Sequence, residues 1–518
     1  TLSPKPLDID PKELTKAVKR IKKALDSKEK IIVYGDYDAD GICGTAILWE
    51  TLNALGADAL PYIPHRVEEG YGLSQKGIDN LLSHKPYAII GHKPTLIITV
   101  DHGITAREEV DYAKSKGLDV IITDHHQKPK ALPESYATVW TDKISGAGVA
   151  WVLAKELTTG YGLQTTNHLD LVAIATIADM IPLKGFNRSL VKFGLGQLNQ
   201  TQRPGLLSLM EVAGLESGKI GVYEVSFIIA PRLNASGRIE HALDSLRLLC
   251  TRDPSRARLL AQKLNQVNQE RQRLTEEAFI HARSLVEEKT NLIFISHPSY
   301  NEGVIGLVAG RLTEEFYRPT IVVSEGKTYS KGSARSINGF NIIEAIRTSE
   351  NLLVDCGGHP MAAGFTIETI RLAEIKSRLL ETVQKEITPQ QLKKTLKIDC
   401  EIDLSDIDWP FYGGVKKFEP FGFGNPEPVF LTRGVKIKDL RLLGNDNRHL
   451  KLLIEPPNHA PYTLHPTLFS AIGFGFGDWG QKLKIGDRVD LAYTILVNSW
   501  NGEERLQLKI KDIRSFTS

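Results

Sequence analysis

Short continuous apolar runs punctuate the N-terminal part of the chain, and segments with helical spacing separate them. Ile31–Tyr34, Leu96–Val100, Val120–Thr123 and Ala137–Trp140 are such runs, rich in Ile and Val and too short for helices. Positions 41–55 and 106–116 carry the intervening helical pattern. Asp10-Pro11-Lys12-Glu13 is a helix start, with a capping acid, a proline in the first turn and an acid behind it; that helix is predicted to end near Ser27. Buried strands alternating with helices predict a parallel sheet covered on both faces. From Gly146 to about Arg252 the pattern is mostly helical.

One long helical pattern then runs from about Pro254 to Lys289. Leu260, Leu264, Val267, Leu274, Ala278, Ala282 and Leu285 recur along it at steps of three, four or seven. At 1.5 Å per residue it spans roughly 50 Å, suiting a strut between two lobes or a helix packed on one of them. A second α/β region follows, from about Leu292 to Ile387. After about Leu392 the character changes to strand-like alternation in Val429–Ile454, Leu468–Phe476 and Val489–Ile513, with the hairpin signal Asn501-Gly502 between two runs. This tail predicts a small β-barrel of OB type. The expected class is therefore α/β: a parallel-sheet lobe over 1–250, a connecting helix over 251–290, a second α/β lobe over 291–392 and a barrel over 393–518.

Composition narrows the class without naming a function. The 518 residues suit three or four domains, and 24% charged with 42% hydrophobic residues is an ordinary globular balance. The net charge is only +2, so a nucleic-acid surface has to be local. From Val429 to Ser518 there are 13 Lys and Arg against 9 Asp and Glu, accompanied by Tyr462, Phe469, Phe474, Phe476, Trp479, Tyr493 and Trp500. A basic groove with aromatic faces holds single strands without reading sequence, although a barrel this small needs most of its aromatics for its core. Cys43, Cys250, Cys356 and Cys400 are too scattered for a disulfide framework and form no C-x-x-C pair. They fit reduced thiols in a cytoplasmic protein. No apolar run reaches the ~18 residues of a membrane span.

The chemistry lies in where the acids fall. Ile31–Tyr34 leads into Gly35-Asp36-Tyr37-Asp38-Ala39-Asp40-Gly41, Leu96–Val100 into Asp101-His102-Gly103, and Val120–Thr123 into Asp124-His125-His126. All three clusters sit just past the carboxyl ends of strands, the ligand edge of open α/β sheets. Asp179 closes the apolar helix 171–178. Each cluster alone reads as a turn or a helix cap. Together the acids would repel one another unless a cation lay between them. Carboxylates with imidazoles and no thiolate suit Mn²⁺ or Mg²⁺, and two such ions support phosphoryl displacement.

Asp124-His125-His126 and Tyr34-Gly35-Asp36-Tyr37-Asp38-Ala39-Asp40-Gly41 resemble the DHH phosphoesterase superfamily. Four further stretches narrow the resemblance: Pro64-His65-Arg66 with Glu69-Gly70-Tyr71-Gly72, the segment 175–183 around Asp179, Pro231–Arg238, and Gly357–Gly364. In that order they are similar to the RecJ family of bacterial single-strand exonucleases. The resemblance implies Asp38, Asp40, Asp101, His125 and Asp179 as ligands of two Mn²⁺ or Mg²⁺ ions, with Asp36 an additional ligand and Asp101 the bridge. It implies His126 beside the scissile phosphate, with Asp124 and Arg238 in the catalytic set. Arg66, Arg232 and Asn234 are implied substrate contacts, as are Ser333, Arg335, Gly358 and His359 in a DHH-associated second lobe. Gly357-Gly358-His359 is read as a tight turn whose N–H groups form an anion nest. Tyr34 stands where the pyrophosphatase branch has a histidine ligand, which weakens that branch as a reading. The implied activity is 5′ to 3′ hydrolysis of single-stranded DNA in repair and recombination, beside a helicase and a single-strand binding protein. A DHH enzyme of very short substrates and a metal-free DNA-binding scaffold are the rival readings.

Overall fold

The computed structural model describes residues 7–66, 68–83, 93–159, 168–287, 290–444, 446–456, 468–500 and 502–516. Tyr462, Asn501 and the side chain of Trp500, singled out above, lie outside the described residues. The chain divides into two compact units, Thr1–Lys394 and Thr395–Ser518.

The first unit opens with α1 (Pro11–Asp26), capped by Asp10 accepting the Lys12 N–H at 2.8 Å. There follow β1 (Lys30–Gly35), α2 (Ala39–Ala54), β2 (Asp58–Tyr62), α3 (Gln75–Ser83), β3 (Pro94–Val100), α4 (Arg107–Ser115), β4 (Asp119–Asp124) and β5 (Ala137–Trp140). The sheet is parallel throughout in the order β2-β1-β3-β4-β5. β1 is buried along its whole length, as its unbroken apolar run requires.

Patterning overlooked β2, because Pro61 and the short alternation of Asp58–Tyr62 resemble a loop. Proline survives there because β2 is an edge strand. The Ala59 carbonyl faces outward and accepts from Trp49 Nε1 at 3.0 Å. The next outward position is Pro61, which has no N–H to offer. At the opposite edge, the β5 Thr138 N–H donates to Glu13 Oε2 of α1 at 2.8 Å.

Helices α5 (Gly146–Thr158), α6 (Leu169–Ala178), α7 (Gly185–Leu198) and α8 (Pro204–Val212) complete the first lobe with α9 (Val222–Glu224), α10 (Ala230–Ile239) and α11 (Leu243–Cys250). A wider π turn, Val225–Ile229, joins α9 to α10. α12 (Pro254–Ser284) is 31 residues long, about 46 Å. It starts where Asp253 caps Ser255 and stops five residues short of the expected end, with His281 and Arg283 in its last turn. Ala261 and Leu264 pack in the first lobe's core, whereas Ala278, Phe279 and Ala282 pack with β6 (Ile293–His297) and α13 (Ile305–Phe316). One helix thus serves two cores.

The second lobe continues with β7 (Thr320–Ser324), β8 (Tyr329–Arg335), α14 (Ile342–Arg347), β9 (Leu353–His359), β10 (Ala362–Glu368) and α15 (Leu372–Glu386). Its sheet has the order β6-β7-β8-β10-β9; only β6 and β7 are parallel.

The second unit contains β11 (Cys400–Glu401), α16 (Trp409–Lys416), β12 (Phe430–Leu443), β13 (His449–Glu455), β14 (Phe469–Gly473), β15 (Arg488–Trp500) and β16 (Glu503–Ser515). Pairing of β12 with β15 closes β12-β13-β14-β16-β15 into a five-stranded barrel. Phe430, Phe469 and Tyr493 fill its core, whereas Phe474 is 54% exposed. Among the described residues all four cysteines are free, and no helix is long and apolar enough to cross a membrane.

Away from the sheet edge, a largely buried ion network ties α2, α6 and α8 together, with Asp170 fully enclosed and Glu50, Arg203 and His168 partly so. Arg203 grips Glu50 through two hydrogen bonds of 2.7 and 2.9 Å and Asp170 through a third of 3.0 Å; His168 Nε2 lies 2.9 Å from Glu50. Burial opposes charge on Glu50, but the His168 and Arg203 contacts outweigh it and hold its pKa at about 2. A depressed carboxylate pKa stabilises the fold above the unfolded value and loses that contribution as pH falls through the folded value. Glu50→Gln is expected to cost roughly 3–5 kcal/mol at neutral pH, because Arg203 loses a buried partner. Denaturant titrations should show the gap to wild type closing as pH drops from 4.5 toward about 2.

Candidate metal centre and phosphate cavity

The carboxyl ends of β1, β3 and β4 carry the acids, and short-range sterics fix each one. Asp38 caps α2, accepting from the N–H groups of Asp40 at 2.9 Å and Gly41 at 3.1 Å. A Cβ on Gly41 would lie 2.7 Å from the Asp36 backbone nitrogen, so only glycine lets the loop fold back on itself. Asp40 accepts from Gly146 and Ala147 at the start of α5, both at 2.7 Å. Asp101 adopts a left-handed φ of 68°, a conformation a non-glycine residue holds only when its surroundings impose it. A Cβ on Gly146 would sit 2.4 Å from Asp101 Oδ1.

These loops converge. His125 Nε2 lies 3.0 Å from Asp101 Oδ1, 3.6 Å from Asp179 Oδ2 and 3.8 Å from Asp40 Oδ2. Ligand atoms of Asp36, Asp38 and Asp101 fall within 4.8 Å of one another, as do those of Asp40, His125 and Asp179. Asp101 also groups with His125 and His126, so it stands between the two acidic sets. Asp36 Oδ1, Asp101 Oδ1 and His125 Nε2 are buried without a hydrogen-bond partner. Orphaned buried atoms of this kind are costly unless a cation takes them up. The donor set of carboxylates and one imidazole fits Mn²⁺ or Mg²⁺. Tyr34 is no ligand: its ring packs against Tyr62 and His102, and its hydroxyl points toward Gly77.

Burial, followed by repulsion from the neighbouring acids, pushes the pKa values of Asp36, Asp40, Asp101 and Asp179 far above the carboxylate range. His125 is held down at about 4 by burial and then by the charge of His126, which keeps its ring neutral and able to ligate. His126 behaves oppositely. Burial works against its charge, but the 2.8 Å contact with Asp124 prevails and raises it to about 9. Asp124 itself is buried. Its Oδ1 also accepts from the N–H groups of His125 and His126, and its Oδ2 from Ile104. Asp124 therefore orients the histidine pair and has no oxygen left for substrate. Tyr71, quoted above only as part of a motif, holds its hydroxyl 3.4 Å from His126 Nε2 and 3.2 Å from the Asp101 carbonyl. Its motif was visible in sequence; its hydrogen bonds were not.

A cavity of ≈ 600 Å³ opens beside this centre, between the two lobes of the first unit. Asp36, Asp38, Arg66, Asn234 and Arg238 line one side, and Ser333 and Arg335 of β8 the other. Arg335 Nη1 donates to the Ala334 carbonyl at 2.8 Å. A Cβ on Gly306 would come within 3.0 Å of Arg335 Nη2, so that glycine makes room for the guanidinium. Asn234 Oδ1 accepts the Ala39 N–H at 2.7 Å and ties α10 to the start of α2.

Arg232 is not among the residues that line the cavity; its Nε donates to Asn265 of α12 and its Nη1 to the Ile228 carbonyl. One expectation needs correction. Gly357-Gly358-His359 is not a tight turn but the end of edge strand β9, with Pro360 and Met361 forming the turn. Gly358 has φ 146°, and a Cβ there would strike the Ala362 carbonyl at 2.4 Å, so its glycine serves strand packing. Clustered glycines resemble a nest in sequence because both uses demand the absence of a side chain.

Since the acids resist ionisation without a cation, Mn²⁺ binding near neutral pH should release protons and raise the melting temperature. Calorimetry in buffers of different ionisation enthalpy measures the first and thermal unfolding the second. Asp101→Ala is expected to abolish both.

Comparison with known proteins agrees with this architecture. Residues 30–176 match the DHH family N-terminal domain, 289–387 the DHHA1 domain and 398–512 the RecJ OB domain. The single-stranded-DNA-specific exonuclease RecJ of Bacillus subtilis is 36% identical over 97% of this chain, and this chain spans 63% of that relative's length. The RecJ of Thermus thermophilus is 34% identical, covering 98% of this chain and 73% of the relative. The crystal structure of Thermus thermophilus RecJ in complex with Mn²⁺ superposes with a TM-score of 0.85 at 32% identity, over 100% of this chain and 74% of that one. On this evidence the chain belongs to the RecJ family of single-stranded-DNA-specific exonucleases.

Proposed function

We infer that the protein is a divalent-metal-dependent exonuclease that removes nucleotides from the 5′ end of single-stranded DNA, in repair and recombination. The observation that carries this reading is the convergence of Asp36, Asp38, Asp40, Asp101, His125 and Asp179 on one sheet edge with orphaned buried ligand atoms. When bound, two Mn²⁺ or Mg²⁺ ions supply Lewis acidity and an ionised water for in-line attack on phosphorus. Asp36 and Asp38 would hold one ion and Asp40, His125 and Asp179 the other, with Asp101 placed between the two sets. His126, kept protonated and fixed by Asp124, donates to an oxygen of the scissile phosphate. Arg238 and Arg66 offset the charge that grows there.

Polarity comes from the far wall of the cavity. Ser333 and Arg335 grip a terminal 5′-phosphate, as a guanidinium does best in a dry, fork-shaped contact. A chain continuing in both directions has no terminal phosphate to place there. His359 ends β9, outside the lining of the cavity, and is given no contact with that phosphate. Cytoplasmic residence and work beside a helicase and a single-strand binding protein rest on family membership. The barrel of the second unit adds strand affinity, which favours long substrates over dinucleotides.

Oligonucleotides labelled at either end, single and double stranded, test the assignment with Mn²⁺ and with chelator. Early release of the 5′ label from single strands alone is expected; early release of the 3′ label, or attack on duplex, would overturn it. Arg335→Gln is expected to raise KM for 5′-phosphorylated strands by roughly ten- to a hundredfold, the loss of a charged hydrogen-bond pair. The advantage of 5′-phosphorylated over 5′-hydroxyl strands should disappear with it.

A further inference from the structure

A second cavity of the first unit, ≈ 440 Å³ in volume, lies along β2 and shares no lining residue with the phosphate cavity. Pockets of this size hold small organic molecules. Leu60 and Pro61 of β2, Trp49 of α2, Leu81 of α3, and Leu243 and Leu246 of α11 make its walls apolar. The Trp49 indole N–H is already engaged by the Ala59 carbonyl, so that ring offers only its apolar surface. The charged part of the lining is of one sign. Arg247 and Arg256 belong to it, and no aspartate or glutamate does. Among the described residues Arg247 bonds Asp244, through Nη1 at 2.9 Å, and Arg256 has neither an ion pair nor a hydrogen bond. Arg256 also stands in the first turn of α12, a turn without an acid, where the positive end of the helix disfavours a further cation. Apolar walls and an unanswered guanidinium are the two halves of a site for an amphipathic anion.

β2 narrows the choice of occupant. Its Ala59 carbonyl is taken, and Pro61, the next residue facing outward on this edge strand, has no N–H. An extended peptide therefore finds no ladder to pair with there, which removes the usual source of affinity for a strand at a sheet edge. What remains is apolar contact and charge, and a compact ligand uses both without the cost of ordering a chain.

We propose that this cavity binds a small organic anion, with a flat apolar body of bicyclic size among Leu60, Trp49, Leu243 and Leu246 and a single carboxylate or sulfonate at Arg256. The site goes beyond the exonuclease reading and does not rest on it, so its test needs no hydrolysis. Anilinonaphthalene sulfonate and its uncharged parent, phenylnaphthylamine, are titrated into the full chain, and the rise of their fluorescence on binding is followed. Saturable binding of one molecule of either per chain is expected. Leu60→Trp fills the cavity and is expected to weaken both about tenfold or more, and Leu243→Trp to do the same from α11. Arg256→Gln is expected to weaken the sulfonate about threefold at low salt, the strength of an exposed ion pair, and to leave the uncharged parent unchanged. That difference should vanish at high salt. Non-saturable binding, or binding that survives both tryptophan variants, overturns the site; so does equal weakening of the two molecules by Arg256→Gln. Loss of the sulfonate with Arg335→Gln rather than with Arg256→Gln places it in the phosphate cavity and overturns the proposal as well. Circular dichroism identifies a variant that has lost its fold; should both tryptophan variants do so, Arg256→Gln, a change at an exposed side chain, decides alone. If wild type binds both molecules in this way yet hydrolyses no strand with Mn²⁺, the exonuclease reading fails while the cavity stands; if wild type hydrolyses strands and binds neither molecule, the cavity alone fails.

Discussion

Mutual repulsion among buried carboxylates is the constraint on which the rest of this molecule turns. Four acids at one sheet edge are driven toward their neutral forms by burial and by each other. A fold can keep such a cluster only if it fixes every carboxylate by other means, and here each has a separate restraint. Asp36 is pinned through its backbone N–H to the Val100 carbonyl, Asp40 is tethered by the start of α5, Asp101 is locked in a left-handed conformation, and Asp179 closes α6. Local backbone geometry thus carries the cost of an arrangement that is unfavourable until cations complete it.

Much of this was legible beforehand because the relevant signals are local. An apolar run ending in an acid marks a strand and its carboxyl edge together, and β1, β3 and β4 all lie where their runs predicted. The barrel was visible through period-two alternation. What stayed hidden depends on tertiary partners. Pro61 disguised an edge strand, since proline's prohibition applies only to strands paired on both sides. Gly357 and Gly358 suggested a turn because sequence records that a side chain is missing, not why. Arg232 and Asn234 lie two residues apart on one helix, yet one faces α12 and the other the cavity, a distinction set by packing.

The two histidines of the Asp124 cluster show how adjacent residues of the same type acquire opposite chemistry. For His125, desolvation and then the charge of His126 outweigh the pull of Asp124, and the ring stays neutral. His126 meets the same desolvation but owns the carboxylate of Asp124, and stays charged. One hydrogen bond of 2.8 Å therefore separates a ring suited to ligation from one suited to proton donation.

The borders of the first sheet have a significance unrelated to chemistry. At β2 the outward carbonyl is occupied by Trp49 and the following position is an imino acid; at β5 the outward amide is occupied by Glu13. Neither margin presents a free ladder of donors and acceptors to a passing β-segment. A newly made chain, or a partly unfolded neighbour, finds no template there for fibrillar or swapped association. Addition of a further strand at either margin is disfavoured accordingly.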